Sequence, residues 1–248
     1  MITEELNNLQ NEFKRIKNMG YVPATRGGTT GIGKTFEDLL HKKEDRASLP
    51  DYHGIELKTK RGYSKSYVTL FNLTPKGNNE FEIKRLRNEY GYPDSDFKEY
   101  KVLNVSVYAT NFNLIANRFL FKLDIDKKEQ KVFLLILNKN MEFIERICYW
   151  DFQTLNDRLN AKFKYLALIK AWPKTVNGQQ YYKYYDIEYY KLKSFDAFLD
   201  LLIKGKIRVT FKISTFKKGN RLGDIHDRGT GFEIQEIDLY NLFDIVNF

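Results

Sequence analysis

Apolar residues recur with a helical period near the start of the chain and mostly with a strand period after residue 53. Leu6, Leu9, Phe13 and Ile16 follow steps of three and four, which predicts an amphipathic helix over residues 3–18, capped by Thr3 and stopped by Gly20. Residues 21–30, rich in Gly and Thr and holding Pro23, read as a loop. A second helix is expected from residues 31–34 to about residue 43, with Phe36, Leu39 and Leu40 on its buried stripe and Glu37 in its first or second turn. Residues 53–60 then alternate, Ile55, Leu57 and Thr59 on one face of a strand and Glu56, Lys58 and Lys60 on the other. Residues 67–72 predict a neighbouring strand, 80–90 a short basic helix, and 101–110, 118–126 and 130–138 a run of adjoining strands. Further on come a helix over 152–163, a buried strand over 164–172, a helix over 195–204 ended by Gly205, and a strand over 206–214. A basic polar loop, 216–229, leads into 230–236 and a last helix or strand from Leu239.

Between residues 179 and 191 stand Tyr181, Tyr182, Tyr184, Tyr185, Tyr189 and Tyr190. Such a ladder can stack on bases, but half-buried sheet positions favour tyrosine as well, and the structural reading is the better one. The pattern as a whole predicts an α+β protein with a mixed β-sheet flanked by helices, in one integrated domain or two lobes with a soft boundary near residue 145. No internal repeat or low-complexity tract interrupts it.

With 248 residues there is ample length to bury a core, and 42% hydrophobic and 15% aromatic residues exclude a wholly disordered chain. The 41 Lys and Arg against 32 Asp and Glu give a net charge of +9. That excess favours a polyanionic partner, nucleic acid being the commonest, although charge alone fits a basic protein without one equally well. The single cysteine, Cys148, lies in the apolar run Ile147-Cys148-Tyr149-Trp150 and is expected to pack as a small hydrophobe. The first residues have no apolar signal core and no stretch approaches the roughly 18 apolar residues of a membrane span, so no membrane partner and a cytoplasmic location are expected.

Two kinds of chemistry are written into residues 28–61. Gly28-x4-Gly33-Lys34-Thr35 fits the phosphate-cradling pattern of nucleotide-binding loops. That loop needs a buried parallel strand directly before its first glycine, and Tyr21-Val22-Pro23-Ala24-Thr25-Arg26-Gly27 makes a poor one. A later apolar run ending in a magnesium-holding Asp is also missing, since Phe133-Leu134-Leu135-Ile136-Leu137 ends in Asn138, so no ATP is expected. Lys34 and the helix N-terminus can instead hold a DNA phosphate.

The second pattern is Pro50-Asp51-x4-Glu56-Leu57-Lys58. Phosphodiester hydrolysis needs charge neutralised on the phosphate, a water generated or oriented, and the leaving oxygen stabilised. Two carboxylates holding Mg2+ beside a lysine supply all three. Glu56 and Lys58, two apart on a strand, project from one face while Ile55 and Leu57 anchor the other. Asp51 precedes the turn Tyr52-His53-Gly54 and can fold back toward the same ion. The bare E-x-K spacing is common here, recurring at Glu12, Glu82 and Glu99, with D-x-K at Asp96 and Asp126, but none of these has Pro-Asp a few residues upstream. A solvated strand face is as good a reading of Glu56 and Lys58 on pattern alone.

Thr30-Gly31-Ile32-Gly33-Lys34-Thr35-Phe36-Glu37-Asp38-Leu39-Leu40 followed by Pro50-Asp51-x4-Glu56-Leu57-Lys58-Thr59 resembles the MutH-like branch of PD-(D/E)xK nucleases, within it most closely the MvaI/BcnI-type restriction endonucleases. The resemblance continues through Leu86-Arg87-Asn88-x-Tyr90-Gly91, Tyr181-Tyr182-Lys183-Tyr184 and His226-Asp227-x-Gly229-Thr230-x-Phe232, covering nearly the whole chain. It implies a MutH-like nuclease fold with two lobes around a DNA cleft, residues 1–145 mainly catalytic and 146–248 mainly for recognition. It implies that Asp51 and Glu56 bind one or two Mg2+ ions, for which Mn2+ can substitute, with the Leu57 carbonyl as a further ligand. Lys58 would orient or help deprotonate the attacking water, and Glu37 would support the site electrostatically or through a second metal. Restriction members look like monomers that cut double-stranded DNA one strand at a time and are partnered by a cognate DNA methyltransferase, whereas MutH nicks in mismatch repair.

Base reading needs side chains with fixed donor and acceptor patterns. Arg208, Thr210 and Lys212 share one face of the strand at 206–214, and Arg221, Asp224, His226, Asp227 and Arg228 lie in the loop that follows; the resemblance places base reading in this region. Lys60 and Arg61 are read as DNA contacts, Lys217 and Lys218 as phosphate contacts, and His41 and His53 as ordinary polar positions. Thr210 and Lys212 stand where the relatives imply an acid and an arginine, and Glu233 where they imply an arginine, and these departures count against carrying over their CC(A/T)GG-like target.

Overall fold

In the computed structural model, which describes residues 2–41, 50–62, 66–77 and 82–247, the chain opens with α1 (Ile2–Asn18), β1 (Val22–Pro23), α2 (Gly31–Leu39) and β2 (Ile55–Arg61). Next come β3 (Val68–Asn72), β4 (Lys76–Gly77), α3 (Glu82–Arg85), a π-helical turn (Leu86–Tyr90), β5 (Tyr92–Pro93), β6 (Lys101–Val107), β7 (Asn113–Ile115), β8 (Phe119–Asp126), β9 (Lys131–Asn138) and β10 (Phe143–Asp151). The rest is α4 (Phe152–Phe163), β11 (Tyr165–Val176), β12 (Gln179–Leu192), α5 (Phe195–Ile203), β13 (Ile207–Thr215), β14 (Ile225–Asp227), β15 (Gly231–Ile234), α6 (Leu239–Leu242) and β16 (Phe243–Ile245). The expected end of the second helix near Lys43 and the expected helix start at residue 80 lie outside the described residues.

Two compact units share the chain, one made of residues 1–68, 158–194 and 239–248, the other of 69–157 and 195–238. Instead of one boundary near residue 145, the chain leaves the first unit after β2, builds most of the second, and returns through α4.

The first unit holds a mixed sheet ordered β1-β12-β11-β2, with β16 also on β12. Its β2 runs parallel to β11, and the other pairs are antiparallel. Asn177 and Gly178, at φ 49° and 80°, close the long β11/β12 hairpin, the positive pair that a two-residue turn between twisted strands requires. Opposite Lys170 and Ala171 the register skips Tyr185. That bulge changes the parity of the strand, so Tyr182, Tyr184 and Tyr189 all join Ile55 and Leu57 in one core with Leu6, Leu9, Phe13 and Ile16 of α1 and Ile32 and Phe36 of α2. The tyrosine ladder is thus largely core. Phe36 is fully buried, its ring 5.0 Å from that of Tyr184, whose hydroxyl donates to the Ile32 carbonyl at 2.7 Å and ties the first turn of α2 to the sheet.

The second unit contains two sheets, β4-β10-β9-β8-β7 and β3-β15-β13-β6-β5, with β14 on β13. Two expectations are corrected. The strand after β2 is not its neighbour: β3 pairs with β15, and Phe71 packs on Phe198 and Phe232. Nor does β6 adjoin β8 and β9 in one run; it pairs with β13 and β5. Sequence reading passed over β10 as a strand because its first half is exposed and its charges, such as Arg146 with Asp124 and Asp126, blur the alternation. Its second half buries Cys148 and Trp150, and burial pushes the Cys148 thiol up. Among the described residues no helix is long and apolar enough to cross a membrane.

Candidate active site

The site is built on the turn that starts β2. Tyr52 and Ile55 exchange backbone hydrogen bonds, Tyr52 N to Ile55 O at 2.9 Å and Ile55 N to Tyr52 O at 2.7 Å. Between them His53 and Gly54 sit at φ 44° and 89°. This reversal brings Asp51 alongside the strand, where its Oδ2 accepts from the Leu57 backbone N–H at 3.1 Å. The expected fold-back of Asp51 is therefore realised through the backbone of the residue next to Glu56.

Ile55 and Leu57 enter the core as expected. The opposite face is not solvated, however: Glu56 is 0% and Lys60 7% exposed. The cover includes the last turn of α4, where Phe163 is fully buried and its ring lies 5.9 Å from Lys58 Nζ. Glu56 Oε1 accepts from Lys58 Nζ at 2.7 Å and from Lys162 Nζ at 3.1 Å. Glu56 Oε2 is buried with no hydrogen-bond partner among the described residues.

A buried carboxylate oxygen left bare is costly unless something else compensates it. The donor set expected from the sequence, Asp51, Glu56 and the Leu57 carbonyl, is all oxygen, so by donor chemistry these residues would suit a hard divalent ion such as Mg2+. Among the described residues no three His, Cys, Asp or Glu side chains converge as a metal cage. Glu37 is half-buried on α2, the helix whose Gly33 approaches β2 so closely that a Cβ there would lie 3.1 Å from Thr59 Oγ1.

The phosphate-loop pattern is used differently. Lys34 pairs with Asp38 one turn on, and its hydrogen bond, together with one from Thr25, holds the Asp38 carboxyl below its ordinary value. Thr35 Oγ1 accepts from the Thr25 backbone at 3.0 Å. The preceding strand, β1, has two residues and is antiparallel to β12. A nucleotide loop needs a parallel strand running straight into it, so the geometry of this segment is that of a helix start fixed against β2.

In the second unit Arg208, Thr210 and Lys212 share a face of β13, as expected, with Glu233 of β15 directly opposite Arg208. Glu233 is 5% exposed and both its oxygens are engaged, Oε2 by Arg208 (2.8 and 3.1 Å) and Thr210 (3.0 Å), Oε1 by Lys212 (2.7 Å). Burial raises its pKa, but the bonds from Lys212 and Arg208 outweigh this and hold it below the ordinary value. Its contacts in this structure are thus with the neighbouring donors.

His226 stacks on Phe216 with centroids 4.1 Å apart, and the Arg221 guanidinium lies 4.0 Å over the same ring while pairing with Asp224 at 3.7 Å. Asp227 Oδ1 accepts from Gly229 N at 2.8 Å. His226 and exposed Arg228 line a recess of about 370 Å³ together with Asp94, Asn104, Ser214 and Lys217. Lys217 pairs there with Asp94 at 2.8 Å and Asp96 at 3.2 Å. Arg61 is exposed at the end of β2.

Lys162 is the site residue that sequence reasoning missed. It lies 106 positions from Glu56, in a helix recognised only by its apolar period, and no local spacing links the two.

The sequence profile of the MvaI/BcnI restriction endonuclease family matches residues 10–243. A solved complex of restriction endonuclease MvaI with cognate DNA is 34% identical, covers 98% of both chains and superposes with a TM-score of 0.89. MvaI in the absence of DNA, also 34% identical over 98% of this chain and 97% of its own, gives 0.63. No curated protein matches the sequence significantly.

Proposed function

The chain belongs to the MvaI/BcnI restriction endonuclease family and is accordingly a DNA endonuclease; from that premise we propose that it is a type II restriction enzyme. In this reading it cleaves double-stranded DNA at a short specific site by Mg2+-dependent phosphodiester hydrolysis, as a cytoplasmic monomer that nicks one strand at a time. The observation that carries the metal chemistry is the Glu56 carboxylate, fully buried, with two lysines on one oxygen and the other bare.

Asp51, Glu56 and the Leu57 carbonyl would hold the ion, with Mn2+ as a substitute for Mg2+. A bound divalent ion supplies neutralisation of the scissile phosphate and a more acidic water. Lys58 shares the face of Glu56 and is 25% exposed at its side chain, so its ammonium can turn from Oε1 to orient the water for in-line attack. Glu37 adds negative potential from α2, or a ligand for a second ion. Recognition falls to the second unit, where Arg208, Lys212, Arg221, His226 and Arg228 offer donors to guanine edges and phosphates. Its cellular counterpart is a cognate DNA methyltransferase, because an unprotected host genome would be cut.

Supercoiled plasmid incubated with Mg2+ should pass through open circle to linear fragments of fixed size, and Glu56→Gln should leave it supercoiled. Accumulation of open circle alone would mark a MutH-like nicking enzyme. Intact supercoil across plasmids of varied sequence would sink the reading.

A further inference from the structure

Family membership directs attention to Asp51, Glu56 and Lys58, yet Glu56 Oε1 carries a second ammonium, that of Lys162. Lys162 sits in the last turn of α4, where the helix dipole favours a cation. That alone would explain a lysine at this position but not its direction. The direction is fixed by the fully buried residues Leu159 and Phe163 on either side of it, which hold the end of the helix in the core; the Phe163 ring packs 6.1 Å from that of Phe243. The Lys162 side chain is only 20% exposed, and its ammonium reaches inward to a carboxylate at 1% side-chain exposure.

The two lysines cannot do the same work. Lys58 serves hydrolysis only when its ammonium faces the water or the phosphate, and in this structure it faces Glu56 instead. Once Lys58 turns away, a buried carboxylate with no other donor would be free to rotate and would lose its compensation, a cost that grows in a low-dielectric site. Lys162 removes that difficulty, because it holds the same oxygen from a different element. Oε1 then keeps a donor when Lys58 turns, and Oε2 is the oxygen without a partner among the described residues.

We propose that Lys162 is the positioning residue of the metal site, holding Glu56 Oε1 so that Oε2 faces the ion while Lys58 is released to the attacking water. The assignment rests on Asp51 and Glu56 being the metal ligands. Partners that orient a ligating carboxylate typically change metal affinity or activity by about 10–100-fold when removed.

The test is Mn2+ binding to the full chain, followed by the loss of the free-ion electron paramagnetic resonance signal, in wild type and in K162M, K162Q and K162R. K162M and K162Q should weaken Mn2+ binding by about 10–100-fold and slow single-turnover nicking, with DNA affinity in EDTA unchanged. K162R, which keeps a donor and a charge, should recover most of both. A general loss of structure would lower DNA affinity and would not be rescued selectively by arginine. Unaltered Mn2+ binding in both K162M and K162Q would overturn the proposal. So would tighter binding, since Lys162 would then be a competitor of the ion. If wild type itself neither binds Mn2+ nor cuts, the reading of the site fails with it; if wild type does both and only the variants are unaffected, Lys162 alone is misassigned.

Discussion

Glu56 has no exposed surface, and the residues around it answer to that burial. Its strand position turns it away from the α1/α2 core, the end of α4 covers it, and two ammoniums compensate one oxygen. Lys58→Met should slow cleavage by roughly 10²–10⁴-fold, the usual worth of a group that handles a proton in the transition state, with DNA binding retained. Asp51→Ala and Glu56→Ala should abolish cleavage and likewise retain binding, measured by gel shift in EDTA. Full cleavage by either alanine variant would remove it from the site. Lys34→Ala, by contrast, should leave cleavage within a few-fold of wild type, because Lys34 is occupied with Asp38 within its own helix.

At the level of elements, the turn before β2 decides whether Asp51 reaches the strand. Gly54 at φ 89° has open space where a Cβ would stand, so a side chain there meets no clash and costs only backbone strain. Gly54→Ala should cost about 1–2 kcal/mol in chemical denaturation and should reduce cleavage through the placement of Asp51. The β13/β15 pair gives a second prediction. Glu233 has its folded pKa held below the ordinary 4.5, so its contribution to stability is complete above about pH 4.5 and is lost as pH falls through the lower folded value. Glu233→Gln should therefore be less stable than wild type at pH 7 by about 1.5–3 kcal/mol, the worth of hydrogen bonds to a charged group. The gap should narrow toward pH 3; a gap of equal size at both pH values would contradict the charge-based account.

Elements with a strong local period were legible in the sequence: α1, α2, β2, α4, α5 and β13 form close to their expected places, and the two-residue spacing of Glu56 and Lys58 was enough to set them on one face. Pairing was not legible where partners are distant. β3 finds β15 and β6 finds β13, choices made by cores such as Phe71, Phe198 and Phe232 that no window of neighbouring residues contains. The skipped Tyr185 hid which tyrosines share a face. Lys162 escaped for the same reason as the pairing, since its meaning depends on a residue 106 positions away.

On the scale of the whole molecule, the residues proposed for catalysis and those proposed for base reading separate cleanly between the two units: Glu37, Asp51, Glu56, Lys58 and Lys162 in one, Arg208 to Glu233 in the other. The interleaved chain makes this division invisible to a linear reading. It predicts separable phenotypes. Arg228→Ala should reduce the slope of log affinity against log salt by about 1 if it holds a phosphate, with target choice unchanged. Arg208→Ala should instead relax one position of the target at about 1–3 kcal/mol, while both variants keep the metal site intact. The most direct measurement is sequencing of the ends produced when the protein digests unmethylated genomic DNA in Mg2+, beside the Glu56→Gln variant. The account predicts ends that fall at one short sequence in wild type and are absent in the variant. Ends scattered without a common sequence, or no ends at all, would contradict it.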